Sequence, residues 1–322
     1  MIRKLHEKSN YNKLIGFHAG IYLLLSFATV TISYLLLPLA IAMLASLFLF
    51  ENPKKRILSI ISPLISLAIT ALFSLNDIPL VFITAVLAFI IALCYAKRKS
   101  KALCCLYLCS AFIIYLFLIF FTQCASNAGT LDFASVTEEM SKTIANAKIF
   151  IIDYTYQSLS GMSGISSEPL TYVAVEEAVH TVFEFWPTII FILAFTVSGV
   201  SIKFFTHLVV RNCKFGVLKS FVAFTPPTLV AFFYVVIYLM SMISYGDDIF
   251  TLSISHISNS LMVVFAYLGF KYLKIVSQAM PKQKFLFWLA IGVVAVSPAL
   301  GLALVSYVGV HMTVIFNRQQ NI

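Results

Sequence analysis

The sequence predicts an all-α, polytopic membrane bundle of about nine transmembrane helices with external amphipathic helices. Three observations predict it. Hydrophobic residues fill 61% of the 322 positions and charged residues only 11%, against about 45–50% and about 25% in soluble domains. The apolar excess is gathered into stretches of 17 or more residues without a charge, long enough to cross the roughly 30 Å hydrocarbon core as helices. Short basic clusters separate these stretches, as the cytoplasmic loops of such a bundle would. Helices are required because lipid offers no partner to an unpaired backbone N–H or C=O. A transmembrane barrel would instead show ten-residue segments of alternating polarity, which do not occur.

The first segment, Met1–Lys13, is basic, and the apolar run after it is too long for the core of a signal peptide, so it reads as a retained first span. Leu14–Phe50 holds 37 residues without a charge. One helix of that length would reach about 55 Å, so the run is read as two short spans joined near Thr31–Pro38. Spans three and four cover about 57–75 and 78–96, turning at Asn76–Pro79, and span five runs from Ala102 to Phe121. Span six runs from Pro187 to about Val210. Pro226 and Pro227 open span seven, since proline suits a first helical turn. Span eight lies within 252–274, and span nine runs from Phe285 to about His311 with a kink at Pro298 and Gly301. The chain thus divides into a five-span N-terminal membrane half (1–121), an external amphipathic segment (122–185) and a four-span C-terminal membrane half (186–322).

With the N-terminus in the cytoplasm, this layout puts 19 of the 22 lysines and arginines on the cytoplasmic side, leaving Lys142, Lys148 and Arg318 opposite. Nine crossings place the C-terminus outside. Trp186 and Trp288 fall at span ends, where an interfacial aromatic belt belongs. The net charge of +9 is explained by topology rather than by nucleic acid. The six cysteines include Cys94, Cys104, Cys105 and Cys109 in or beside apolar runs, where thiols act as small hydrophobes. No disulfide framework or paired metal motif is apparent among them.

In the external segment, Val136, Met140, Ile144, Ala147 and Ile151 recur every three or four residues, the stripe of an amphipathic helix. Glu138, Glu139, Lys142 and Lys148 form its polar face. After Ser160–Ser167, a second amphipathic helix starts near Pro169 and carries Glu176, Glu177, His180 and Glu184 into span six. Two readings stand: a lid over a cavity open to the outside, or a connector resting on lipid. Glu177 and His180 share a helical face, but a carboxylate-bridged metal site would need a second such motif, so no metal or cofactor is expected.

Four residues are candidates for ligand binding: Lys203, Asn259, Ser297 and His311. Lys203 is the most embedded charge, and a charge at depth marks a functional site unless its stem carries it back to the interface. Asn259 and Ser297 offer polar groups within spans, with interhelical hydrogen bonding as the competing role. No Walker A loop, Rossmann fingerprint, HExxH or GxSxG motif occurs, so no catalytic residue is assigned and an enzyme is not expected.

The order of features after Trp186-Pro187 resembles a known family. It comprises Arg211–Lys214, then Phe224-Thr-Pro-Pro227, Asn259 with Gly269 and Lys271, Gly309–Met312 and Phe316–Arg318. The chain resembles the uncharacterised YybS-like family of bacterial multi-pass membrane proteins. It departs in carrying His311 where that family places an acidic residue after the last glycine. The N-terminal half is similar in layout to the substrate-binding subunits of energy-coupling-factor vitamin transporters. The resemblance implies a bacterial plasma-membrane location and a small-molecule binding or transport subunit that borrows ATPase partners. The alternative is a structural or assembly factor working through partner membrane proteins. Besides lipid, the expected partners are therefore a small-molecule ligand and other membrane proteins or ATPase subunits, not nucleic acid.

Overall fold

The computed structural model describes residues 19–24, 36–49, 53–73, 75–163, 169–212, 226–243, 249–280 and 283–320. They are helical almost throughout and contain no strand. The helices are α1 (Leu37–Phe48), α2 (Pro53–Phe73), α3 (Ile78–Ala96), α4 (Lys101–Ala128), α5 (Phe133–Ser163) and α6 (Pro169–Glu184). They continue as α7 (Trp186–Asn212), α8 (Thr228–Ile243), α9 (Ile249–Ala279), α10 (Lys284–Val296) and α11 (Pro298–Gln320). The basic start and most of the join proposed near Thr31 lie outside the described residues.

Five of these helices, α3, α4, α7, α9 and α11, are long and apolar enough to cross a membrane. Over the described residues the chain is all-helical, and its five long apolar helices suggest insertion in a membrane. Among the described residues, length does not support the expected number of nine. Helices α1, α8 and α10 have 12, 16 and 13 residues and rise only about 18–24 Å. In α2, of 21 residues, Lys54, Lys55 and Arg56 fall in the first turn, and residues 57–73 carry no charge.

One helix inverts the side-chain placement usual in a soluble protein. On α2, Ser62, Ser66 and Thr70 recur at four-residue steps and are buried, whereas Ile57, Ile60, Leu64 and Leu72 are exposed. Small polar side chains allow close helix packing, and large apolar ones face hydrocarbon.

Two compact units form. The first comprises Met1–Ala92 and Tyr107–Phe215. At its centre is α1, with ten of its 12 residues buried. Its Pro38 occupies the first turn, where a missing N–H costs nothing. Helix α1 packs on α7, whose buried face is Ala194, Ser198, Ser201, Ile202 and Phe205. Phe48 meets Phe89 of α3 edge-on at 5.7 Å, and the Cys109 thiol of α4 lies 3.5 Å from Ser198 Oγ of α7.

The second unit comprises Leu93–Leu106 and Gly216–Ile322. It therefore includes the α3–α4 tip as well as α8 to α11. The tip is tightly built. Arg98 adopts φ 53°, its N–H bonds to Tyr95 O, and Lys99 N–H bonds to Cys94 O at 2.9 Å, a Schellman closure of α3. Ser100 Oγ then accepts from Leu103 N–H at 3.1 Å, capping α4.

Helices α8, α9 and α11 share a core of Ala231, Tyr234, Phe265 and Leu268. Helices α9 and α11 cross at glycines. A Cβ built on Gly269 would collide with Val305 O, and one on Gly309 with Phe265 O. The single kinked span expected over 285–311 is instead two helices. Helix α10 ends at Val296, α11 starts at Pro298, and between them Ser297 has φ −139° and ψ 89°. The fold-back is sharp enough that a Cβ on Gly301 would lie 2.5 Å from Val294 Cα.

Candidate functional site

The segment expected to be external forms a helical hairpin within the first unit. Helix α4 ends at Gly129, whose φ of +66° is the left-handed conformation that closes a helix. Asp132 opens α5, its Oδ2 accepting from the N–H and Oγ of Ser135 at 3.1 and 3.0 Å. The Ser135 N–H holds the Asp132 carboxyl below the ordinary carboxylate range. Cys124 and Ala125 of α4 bury Val136, with Phe120, Phe121 and Met140 around them. The first turns of α5 are thereby fastened to the end of α4.

Further along, Ile152 of α5 packs against Val175 and Val179 of α6, with Phe183 beside them. Tyr172 meets Tyr156 edge-on at 5.3 Å, and its hydroxyl points at Asp153 Oδ1 at 3.5 Å. Desolvation, then the charges of Asp153 and Glu176, push the Tyr172 hydroxyl above its usual pKa. Lys148 places its ammonium 5.4 Å from the centre of the Phe183 ring, and Phe183 stacks on Trp186 at the start of α7.

Beside this seam is an open groove of about 420 Å³. One wall is Ile151, Thr155 and Leu159 of α5, and the other is Ala174, Ala178 and Val182 of α6. Both rows run at four-residue spacing, so each is one ridge of a helix. The groove exists because α6 offers alanine and valine where larger side chains would close the gap. Thr155 supplies the only hydroxyl among those six residues. The volume lies within the range of small-molecule sites.

The stripe expected on α5 is therefore used in two ways. Val136 and Met140 pack on α4. Ile144 and Ile151 remain more than a third exposed, and Ile151 lines the groove. Glu177, His180 and Glu184 are exposed on α6. No three His, Cys, Asp or Glu side chains converge as a metal site among the described residues.

The four candidate ligand residues fall on both units. Lys203 is exposed on α7 of the first unit, and its carbonyl accepts from Thr206 Oγ1 at 3.0 Å. Asn259, Ser297 and His311 belong to the second unit. Asn259 is half-buried on α9, Ser297 sits at the α10–α11 corner, and His311 is exposed on α11. The glycine crossing sets residue 269 level with 309. His311 then lies about 12 residues, roughly 18 Å, along the bundle from Asn259.

Reading the sequence for embedded charges missed a buried hydrogen bond in the second unit. Tyr234 Oη lies 2.8 Å from Ser306 Oγ, and Ser306 donates to Ala303 O at 2.7 Å. Ser306 has one proton to give, so Tyr234 is the donor of the pair. Asn317 was missed too: its Nδ2 donates to Pro226 O at 2.9 Å and to Thr228 Oγ1 at 3.1 Å. The signal available was small-residue spacing on α11, where Gly301, Val305, Gly309 and Thr313 fall at every fourth position.

No protein-family model, curated protein or solved structure matches the chain.

Proposed function

We propose that this protein is a small-molecule binding or transport subunit of a bacterial plasma membrane, without an ATPase of its own. Its N-terminus is cytoplasmic, and the α5–α6 hairpin meets the ligand on the outer side. The observation that carries this reading is the groove between α5 and α6: open, of ligand size, and lined by apolar side chains around one hydroxyl. It suits an apolar or amphipathic molecule, because a strongly polar one would lose hydration without regaining hydrogen bonds. The hairpin is tied to the ends of α4 and α7, so occupancy of the groove reaches both helices directly. The YybS-like arrangement and the likeness to energy-coupling-factor substrate subunits belong to the same proposal, as do ATPase partners.

The test is a thermal-shift screen of the purified protein against apolar and amphipathic metabolites, repeated with Ala178→Trp. Ala178 is exposed in the groove, so an indole there fills the site without disturbing the Ile152 seam. A compound that raises the melting temperature of the wild type should leave the variant unmoved. Absence of any shift across the panel, or an equal shift in both proteins, would sink the proposal. The structural or assembly role is the competing reading. The exposed aromatic face of α8, with Phe232 and Phe233, favours it if a membrane protein is recovered on that face in mild detergent.

A further inference from the structure

We infer that the chain ends on the cytoplasmic side, because α10 and α11 form a hairpin that enters and leaves the bilayer through one face.

The directions of the helices carry this. Ser241 of α8 lies 3.2 Å from Ser258 of α9, and Tyr234 of α8 stacks on Phe265 of α9 with ring centres 5.0 Å apart. Seven residues backward along α8 correspond to seven forward along α9, so the two are antiparallel. Tyr234 also touches Ser306 of α11, while Pro226 and Thr228, before and at the start of α8, receive Asn317 near the end of α11. Again one runs backward as the other runs forward. Helices α9 and α11 are both antiparallel to α8 and hence parallel to each other. A continuous ninth span would have run opposite to the eighth.

Charge identifies the face. The end of α9 carries Lys271 and Lys274, and Lys282 and Lys284 follow. The α3–α4 tip, part of the same unit, brings Lys97, Arg98, Lys99 and Lys101. Lys101 lies within electrostatic reach of Lys271, and Cys105 within reach of Tyr267. The only acidic residues in this unit's sequence, Asp247 and Asp248, precede the opposite end of α9. Basic clusters beside span ends mark the cytoplasm. Since α11 runs with α9, its Asn317–Arg318 end emerges there. Arg318 joins the other basic residues, and 20 of 22 then share one side, with Lys142 and Lys148 remaining opposite.

Length sets the depth of the turn. The 13 residues of α10 rise about 20 Å, short of the roughly 30 Å core. Measured along α10, the Ser297–Pro298 corner therefore stops short of the far face, and the 23 residues of α11 are long enough to carry Arg318 back past the near one. Two of its backbone bonds lower the cost of a corner at that depth: Ser297 N–H to Val293 O and Gly301 N–H to Ser297 O, each 2.8 Å.

The test fuses alkaline phosphatase or green fluorescent protein to the C-terminus of the full, unsubstituted chain in bacteria. We expect fluorescence and no phosphatase activity; active phosphatase with a dark fluorescent fusion overturns the inference. Helix direction is checked separately by oxidative cross-linking mapped by mass spectrometry. Thr228→Cys should cross-link with Asn317→Cys, and Ile243→Cys should not. The reverse pattern would return α11 to the direction of a continuous ninth span. Neither readout depends on the α5–α6 groove.

Discussion

Replacing Gly309 by alanine should separate α9 from α11. The added methyl would be driven into Phe265 O, 2.9 Å from Phe265 C and 3.0 Å from Gly269 N. Packed carbon–oxygen contacts between helices settle near 3.3–3.6 Å. All three atoms belong to backbone, so relief requires the helices to move apart. Overpacking of this kind costs about 1–3 kcal/mol. A control isolates the cause. Gly292 of α10 has nothing within 4 Å of a built Cβ, so Gly292→Ala should only add helix propensity, at most about 1 kcal/mol of stabilisation. The two variants should therefore differ by roughly 1–4 kcal/mol. Denaturant titration of the purified protein, followed by far-ultraviolet circular dichroism, measures the difference. Gly269→Ala probes the same crossing, and combined with Gly309→Ala it should cost less than the two added, because the first separates the backbones for both. Equal stability of Gly309→Ala and Gly292→Ala would refute the close approach and the crossing built on it.

Two further perturbations follow from the hydrogen bonds. Ser306→Ala strands the buried Tyr234 hydroxyl, whereas Tyr234→Phe leaves Ser306 bonded to Ala303 O. The serine variant should lose about 1–3 kcal/mol and the tyrosine variant about 0.6, and equal losses in the same titration would reverse the donor assignment. Asp132→Ala should speed amide exchange in the first turn of α5, while Asp132→Asn keeps the cap. The native Asp132 pKa is lowered, so its contribution is complete above the ordinary value near 3.9 and fades as pH falls through the lower native one. Acid loosening of that turn in the wild type and not in Asp132→Asn is the expected exchange result.

How much of this was legible depended on what the pattern had to encode. Membership of the membrane class was open to reading, because a run such as Ile78–Ala96 is apolar on every side and meets either lipid or another span. For the same reason, periodicity could not say which face of such a helix is buried. On α2 the informative residues were small polar ones, Ser62, Ser66 and Thr70, which a search for apolar stripes passes over. In the α5–α6 hairpin the stripe on α5 was visible. The groove depends on alanines of α6, whose importance lies in the volume they leave empty. The candidate residues were chosen by charge and polarity, and the fold puts Lys203 and His311 in exposed positions on different units.

The end of the chain is the instructive case. Residues 285–317 contain no charge; these 33 residues would make a helix of about 50 Å. The same length argument divides Leu14–Phe50 into two spans, and applied evenly it divides this run as well. Pro298 does not oppose that division, since proline begins a new helix as readily as it bends an old one. What distinguishes kink from corner is contact at a distance: Gly301 against the backbone of Val294, seven residues earlier. No local propensity encodes that approach. The charge pattern does, because a returning helix carries Arg318 to the face that already holds Lys271, Lys274 and Lys284, whereas a single pass strands it on the other side.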